Sequence, residues 1–209
     1  MRPEEFTRQL DELQNFIGHG IAYLSAWHSL TPKDKTSSDA LNRYNSFFST
    51  AHNALLWAAL MQLAKTFDPD RRTISLRSLL TAAKNDRKNL TPHSTEEDLL
   101  DIERRIDDNE KLLGKLKRLR DQRLAHYDST ISEVSLNYRE VKKLVKEIET
   151  LYNRLRSGHD GQHTAFRLLA REVKWHTSKV VGIMRKEKAR ASRRVKRAEN
   201  TAVRKDTGS

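Results

Sequence analysis

Phe6, Leu10, Leu13, Ile17, Ile21, Leu24 and Trp27 recur every three or four residues. An α-helix collects such a series on one side, because successive side chains turn by about 100°. Pro3 followed by Glu4 and Glu5 marks the start, with proline tolerated in the first turn and the acids facing the positive end of the helix dipole. Thr31-Pro32 marks the stop. The spacing predicts a helix over residues 4–29 and sets the class of everything that must pack on it.

The same period returns along the chain. A second helix is expected over 39–67, with Leu41, Tyr44, Phe48, Ala51, Leu55, Ala58 and Gln62 on one stripe. Phe47, Ala54, Trp57, Met61 and Ala64 lie beside that stripe, so this helix is apolar over much of its surface and is expected at the centre of the bundle. Asp68-Pro69-Asp70 ends it. A short helix over 75–84 follows, then a loop over 85–92. Ser94, three residues before Glu97, reads as a capping box opening a long helix over 95–126. Another helix is expected over 137–156, closed by a turn at Ser157-Gly158-His159-Asp160-Gly161. The last begins near His163 and carries Phe166, Leu169, Val173, Val180 and Met184. With 7 Gly, 4 Pro and no alternating apolar pattern, the expected fold is all-α, an up-and-down bundle of about four to six helices.

Hydrophobic residues make up 36% of the 209 and charged residues 33%, which suits amphipathic helices that each contribute one stripe to a thin core. The absence of cysteine excludes disulfides and thiolate chemistry. No apolar run reaches the length of a membrane span, and Arg2-Pro3-Glu4-Glu5 is not a signal-peptide start, so a cytoplasmic location without membrane contact is expected. The net charge of +12 argues for an anionic partner, nucleic acid first. Much of it sits past Met184. A division into a helical domain over 1–185 and a basic tail over 186–209 follows, the tail being a frayed helical extension or disordered. Arg185, Lys186, Lys188, Arg190, Arg193, Arg194, Lys196 and Arg197 are its candidate nucleic-acid contacts.

Other chemistry finds little support. There is no Gly-rich phosphate loop, no zinc-finger spacing and no serine nucleophile elbow. His159 and His163 have the spacing of metal ligands, but glycines surround them and no third ligand is near in sequence. No metal and no cofactor is therefore expected. Trp27, Trp57 and Trp175 fall on helical stripes and read as core residues rather than base-stacking platforms.

The long helix over 95–126 changes character at its end. Leu112, Leu113, Leu116 and Leu119 share one face, which then carries Arg120, Arg123 and Tyr127, with His126 at its edge. Charge on a packed face is costly unless it is paired or reaches a wet cleft. Charge is graded too: eight acids and two bases from Glu96 to Glu110, then one acid and six Lys or Arg from Lys111 to His126. Complementarity to the helix dipole accounts for that order by itself. A positive end also suits a phosphate substrate.

Arg120, Asp121 and His126 form an Arg-x(5)-His motif with a polar residue after the arginine, which resembles the Arg-x(4–6)-His signature of the HEPN superfamily. The string Leu119-Arg120-Asp121-Gln122-Arg123-Leu124-Ala125-His126-Tyr127-Asp128 is similar to the AbiU-like branch. Leu63-Ala64-Lys65-Thr66-Phe67-Asp68, with Ser75-Leu76 and Leu79-Leu80, resembles that branch as well. The resemblance covers roughly the first 180 residues. It implies a helical bundle and a metal-independent endoribonuclease, acting as a toxin or abortive-infection effector in antiphage defence. His126 is then the general acid and base, and Arg120 the phosphate clamp. Asp121 is assigned to orient Arg120, Arg123 to hold a neighbouring phosphate, and Tyr127 and Asp128 to position His126. Arg120→Ala is expected to cost rate and little stability. RNA is the implied partner, with an antitoxin protein as a further one. Positions six apart on a helix lie about 120° from each other, so one chain offers half a site and a homodimer is expected to complete it. The alternative is a non-catalytic helical module that binds nucleic acid or a partner protein.

Overall fold

A computed structural model describes residues 1–68, 70, 72–125 and 136–206, with side chains described through Asp121 and again from Leu136 to Arg194. Among the described residues there are nine α-helices and no strand. The first, α1 (Pro3–Leu30), follows the predicted stripe: Phe6, Leu10, Leu13 and Ile17 are fully buried, and Ile21 and Leu24 nearly so. Thr31 N–H donates to the Trp27 carbonyl where the helix stops before Pro32.

The helices outnumber the four to six expected because two predicted helices are broken and one loop holds a helical turn. The segment read as one helix over 39–67 is α2 (Lys35–Asn42) and α3 (Asn45–Lys65). Asp34 caps α2, its carboxylate accepting from Ser37 N–H at 2.7 Å, which starts the helix earlier than the polar connection suggested. Tyr44 then leaves helical geometry (φ −125°, ψ 43°). The break does not divide the packing by itself, since Phe48 and Leu55 early in α3 join the same small cluster as Leu41. Leu41 packs with Leu30 and Val181 in a small apolar cluster, whereas Leu60 and Leu63 join the main core.

Helix α3 is also not the central one. Only Ala59, Leu60, Leu63 and Ala64 are buried on it, and Tyr44 and Phe47, at the break and in its first turn, stand in solvent. Its apolar residues are spread around the helix, so Phe47 is left in solvent and Phe48, Leu55, Leu56 and Trp57 are only partly covered. Helix α1, with Leu, Ile and Phe side chains on one stripe, takes the centre instead. It packs on α3 and on the later helices α8 and α9.

Helix α4 (Leu76–Asn85) opens with a reciprocal Ser75/Ser78 capping box, and α5 (Arg87–Leu90) is a single turn inside the expected loop, anchored by fully buried Leu90. The predicted helix over 95–126 is α6 (Glu96–Asp108) and α7 (Glu110–Ala125). Its capping box lies one residue later than read: Thr95 accepts from Asp98 N–H, and the Asp98 carboxylate accepts from Thr95 N–H. Asn109 interrupts the helix (φ −97°, ψ 6°), its side-chain amide donating to the Arg105 carbonyl at 2.9 Å. A short polar side chain competing for backbone partners is what makes asparagine a helix breaker.

Helix α8 (Tyr138–Asp160) starts at an Asn137/Glu140 capping box and outruns its predicted end at 156. The turn comes only at Gly161, whose φ of 75° is left-handed. Gly158 stays helical for another reason. It faces the segment before α6, where His93 N–H donates to its carbonyl at 3.0 Å, and a Cβ on Gly158 would lie 1.9 Å from Ser94 Oγ. Helix α9 (Phe166–Asp206) runs as one helix of 41 residues, its first half lying along α1 and α2. Of the three tryptophans expected in the core, Trp27 and Trp57 pack against it, but Trp175 is 53% exposed on the outer side of α9. The stripe there faces α1 through Phe166, Ala170 and Val181, and Trp175 lies off it.

Gly158→Ala is expected to lower stability by about 1–3 kcal/mol, the usual cost of forcing a methyl into a packed contact. Adding Ser94→Ala should recover part of the loss, since the nearest atom is then the Ser94 Cβ at 3.2 Å. Urea denaturation of the two variants beside the unsubstituted chain checks both statements. An unchanged midpoint for Gly158→Ala contradicts the close approach.

Candidate functional site

The apolar face of α7 begins as expected, with Leu113 and Leu116 buried against Ala64 and Phe67 at the end of α3. One turn later the face carries Arg120. Its side chain is only 15% exposed and is held by two carboxylates. Nη1 donates to Asp68 Oδ2 at 2.6 Å, and Nε donates to Asp121 Oδ1 at 2.8 Å. Asp68 is 20% exposed and Asp121 49%. Burial opposes the guanidinium charge, but the two carboxylates outweigh it and raise its pKa above the ordinary value. Arg120 is therefore a permanent cation whose plane is set from two directions.

The local sequence explains the geometry. Asp68 follows the last turn of α3, in a segment that leaves the helix and returns through Asp70 and Arg72 to the Ser75 cap. Phe67 is buried, which draws the following residue towards α7. The resulting cleft, about 360 Å³, is lined by Asp68, Arg77, Glu110, Gly114, Lys117 and Arg120, with Phe67, Leu113 and Leu116 as its apolar floor. Two acids and three bases around an apolar floor make a wet, charged recess at the end of a packed face.

Of the residues singled out from the sequence, Arg120 and Asp121 are thus brought together. Arg123 is in α7, with its side chain outside the described residues. His126, Tyr127 and Asp128 lie outside the described residues. On α9, Arg185 lies 3.9 Å from Asp34 and Lys188 3.0 Å from Asp39, so these two tail bases face acids of the α2 region. Lys186, Arg190, Arg193 and Arg194 are exposed, and the side chains of Lys196 and Arg197 lie outside the described residues. Asp68 is the residue that sequence reasoning missed. It ends the quoted Leu63–Asp68 stretch, and an acid in a stretch that resembles the same family as an arginine motif was the available signal.

The other histidine pair has a different use. His159 Nδ1–H donates to the Leu90 carbonyl at 2.6 Å, and Nε2 lies 2.7 Å from Thr7 Oγ1, so both ring nitrogens tie α8 to neighbouring elements. A larger cleft, about 790 Å³, lies between α8 and the start of α9, lined by His93, Glu149, Arg154, His163 and Arg167 among others. Burial pushes the Glu149 carboxyl up, with Arg167 opposing. This cleft shares no residue with the Arg120 recess.

A family model described as AbiU2, of the HEPN class, matches residues 3–176, which is most of the chain and includes the whole Arg-x(5)-His motif. No curated protein and no solved structure matches.

The Arg120–Asp68 pair is mostly out of water, so breaking it leaves a charge with a lost partner. Asp68→Ala is expected to cost about 1.5–3 kcal/mol, the range for hydrogen bonds to charged groups. Asp121→Ala should cost less, because its carboxylate is half exposed and water can replace it. A double-mutant cycle on positions 68 and 120, read by chemical denaturation, measures the coupling. Coupling near zero contradicts the pairing.

Proposed function

Since the chain belongs to the AbiU2 family of HEPN proteins, we propose that it is a metal-independent endoribonuclease serving as an abortive-infection effector. The chemistry needs few side chains because RNA carries its own nucleophile. His126 takes the proton of a ribose 2′-OH, whose oxygen attacks the adjacent phosphorus. The bond from phosphorus to the 5′-oxygen breaks, and that oxygen receives a proton. The products are a 2′,3′-cyclic phosphate and a 5′-hydroxyl. An imidazole is suited to both proton steps because its ordinary pKa lies near 6.5.

What supports the reading most is the setting of Arg120. A guanidinium oriented by two carboxylates at the rim of a recess is prepared to meet the charge that gathers on the attacked phosphate. Asp121, half exposed, is the partner a phosphate displaces. Asp68, less exposed and reaching from α3, is the one that stays. A second copy of the chain, joined about a two-fold axis, supplies a second His126 and Arg120 so that acid and base come from different protomers. Arg123, Tyr127 and Asp128 act around this centre, and an antitoxin protein is the natural restraint on it.

The runner-up is a nucleic-acid-binding module without catalysis. The basic α9 favours it, because the ten Lys and Arg between 185 and 205 need only phosphates as partners.

Purified protein incubated with RNA in EDTA separates the two. Cleavage is expected, and His126→Ala should lower its rate by about 10²–10⁴-fold, the span for losing a general acid or base. Arg120→Ala is the less clean variant: contrary to the expectation that it leaves stability nearly unchanged, it also removes the partner of Asp68. Full activity in His126→Ala, or a requirement for Mg²⁺, rules the proposal out.

Deletion of 186–209 is expected to weaken RNA binding and to flatten its salt dependence, by about 0.7 in the log–log slope for each single-strand phosphate no longer neutralised. Binding titrations across a salt series check it. An unchanged slope means the segment does not touch RNA.

A further inference from the structure

Four rings from three helices meet where the end of α1 faces the start of α8. His28 stacks on Tyr138 with centroids 4.6 Å apart and planes 8° from parallel. Trp27 lies 5.9 Å from the same tyrosine ring, tilted by 45°. Trp27 also meets His52 of α3 at 5.2 Å. The group is not sealed, since Tyr138 is 39% exposed. Its imidazoles are uncharged in character: burial first, then Lys33, Lys174 and Lys142, pull the pKa of His28 below its ordinary value, and burial lowers that of His52. The charges that bear on His28 are thus three lysines from three different elements: the α1–α2 connection, α8 and α9.

Flat rings within electrostatic reach of three lysines have a chemical counterpart. Every nucleobase offers a π-face to a ring, and the phosphates that link bases offer charge to the lysines. Trp175 makes a useful contrast. It is exposed, but Lys179 Nζ sits 3.8 Å over its ring and covers that face.

We propose that His28 and Tyr138, backed by Trp27 and edged by Lys33, Lys142 and Lys174, form a stacking platform for single-stranded RNA. The proposal rests on the endoribonuclease reading for its partner and deepens it by placing part of the substrate path. The platform lies on the α7 side of the bundle. Lys115 of α7 bridges to Glu140 of α8 at 2.6 Å, with Tyr138 two residues before the glutamate and Arg120 five after the lysine. At about 1.5 Å of rise per residue plus the length of a bridged pair, platform and Arg120 are on the order of 20 Å apart. At that separation one short strand can reach both the platform and the Arg120 recess.

The test is binding of a short fluorescent single-stranded RNA to the full chain carrying His126→Ala, read by anisotropy, so that cleavage plays no part. Tyr138→Phe keeps the ring and should bind as the parent does. Tyr138→Leu removes the π-face at similar bulk and should weaken binding by about 5- to 150-fold, the span for losing one base–ring stack. Joint replacement of Lys33, Lys142 and Lys174 by Gln leaves the rings alone and should flatten the log–log salt slope by about 2. An RNA duplex, whose bases are already stacked within it, should gain nothing from Tyr138. Circular dichroism and a thermal melt establish that each variant is folded; if Tyr138→Leu is not, the lysine triple variant decides. The platform is overturned by an unchanged affinity in Tyr138→Leu with an unchanged slope in the lysine variant, by equal dependence of duplex binding on Tyr138, or by no RNA binding at all. The two readings fail separately. Tyr138-dependent binding together with no cleavage by the chain that keeps His126 supports the platform and sinks the nuclease, and cleavage by that chain that is indifferent to Tyr138→Leu does the reverse.

Discussion

The bundle depends on one side of α1 being dry along its whole length. Phe6, Leu10, Leu13 and Ile17 have no exposure and Ile21 has 4%. Each such side chain contributes about 1.5–3 kcal/mol on burial, an upper range because the unfolded chain already hides part of its surface. A single stripe cannot bury itself. It needs α3 on one flank, α9 on another and α8 across it, with Tyr152 of α8 fully buried and its hydroxyl donating to Gln14 at 2.9 Å. Arg156 repeats the tie with charge: 8% exposed, it donates to Asp11 of α1 at 2.6 Å and pairs with Asp160 at 2.8 Å. Burial of that guanidinium is opposed by these acids, which keep it charged.

The same device appears at the candidate site, where it has a second consequence. Arg120 is as much a clamp between α7 and the end of α3 as a candidate phosphate ligand. A residue with both duties would make function and stability inseparable in its simplest variants, which is why His126→Ala and not Arg120→Ala is the variant that tests the proposed chemistry. Most other ion pairs do not have this weight. Arg8–Glu12, Arg72–Asp70 and Arg185–Asp34 are largely exposed, and water screens such pairs to a small net effect.

Charge and aromatic surface are distributed with a common sense of direction. The acid-rich α6 caps itself through Thr95 and Asp98 and pairs across to α8 through Arg105–Glu147 and Arg154–Asp98. The base-rich α7 leads to the Arg120 recess, and the start of α8, with Tyr138, is tied to α7 through Lys115–Glu140.

The class of the fold was legible in the sequence because helical periodicity is local: a stripe such as Phe6 to Leu24 needs no knowledge of what it packs against. Caps were legible for the same reason, though Thr95 and Asp98 displaced the expected box by one residue, since neighbouring hydroxyls and acids compete within one turn. The Arg-x(5)-His string pointed to the family that the match over residues 3–176 bears out. Three features could not be read that way. Apolar composition alone put α3 at the centre, but apolar residues spread around a helix cannot all be covered, and the single buried stripe of α1 took that place. The glycine at 158 looked like a turn, but its role is to let Ser94 approach. Asp68 and Arg120 are 52 residues apart, and nothing local in either segment states that they touch. Periodicity encodes which face of an element is dry; only the packing of those faces decides which distant charges must share the space between them.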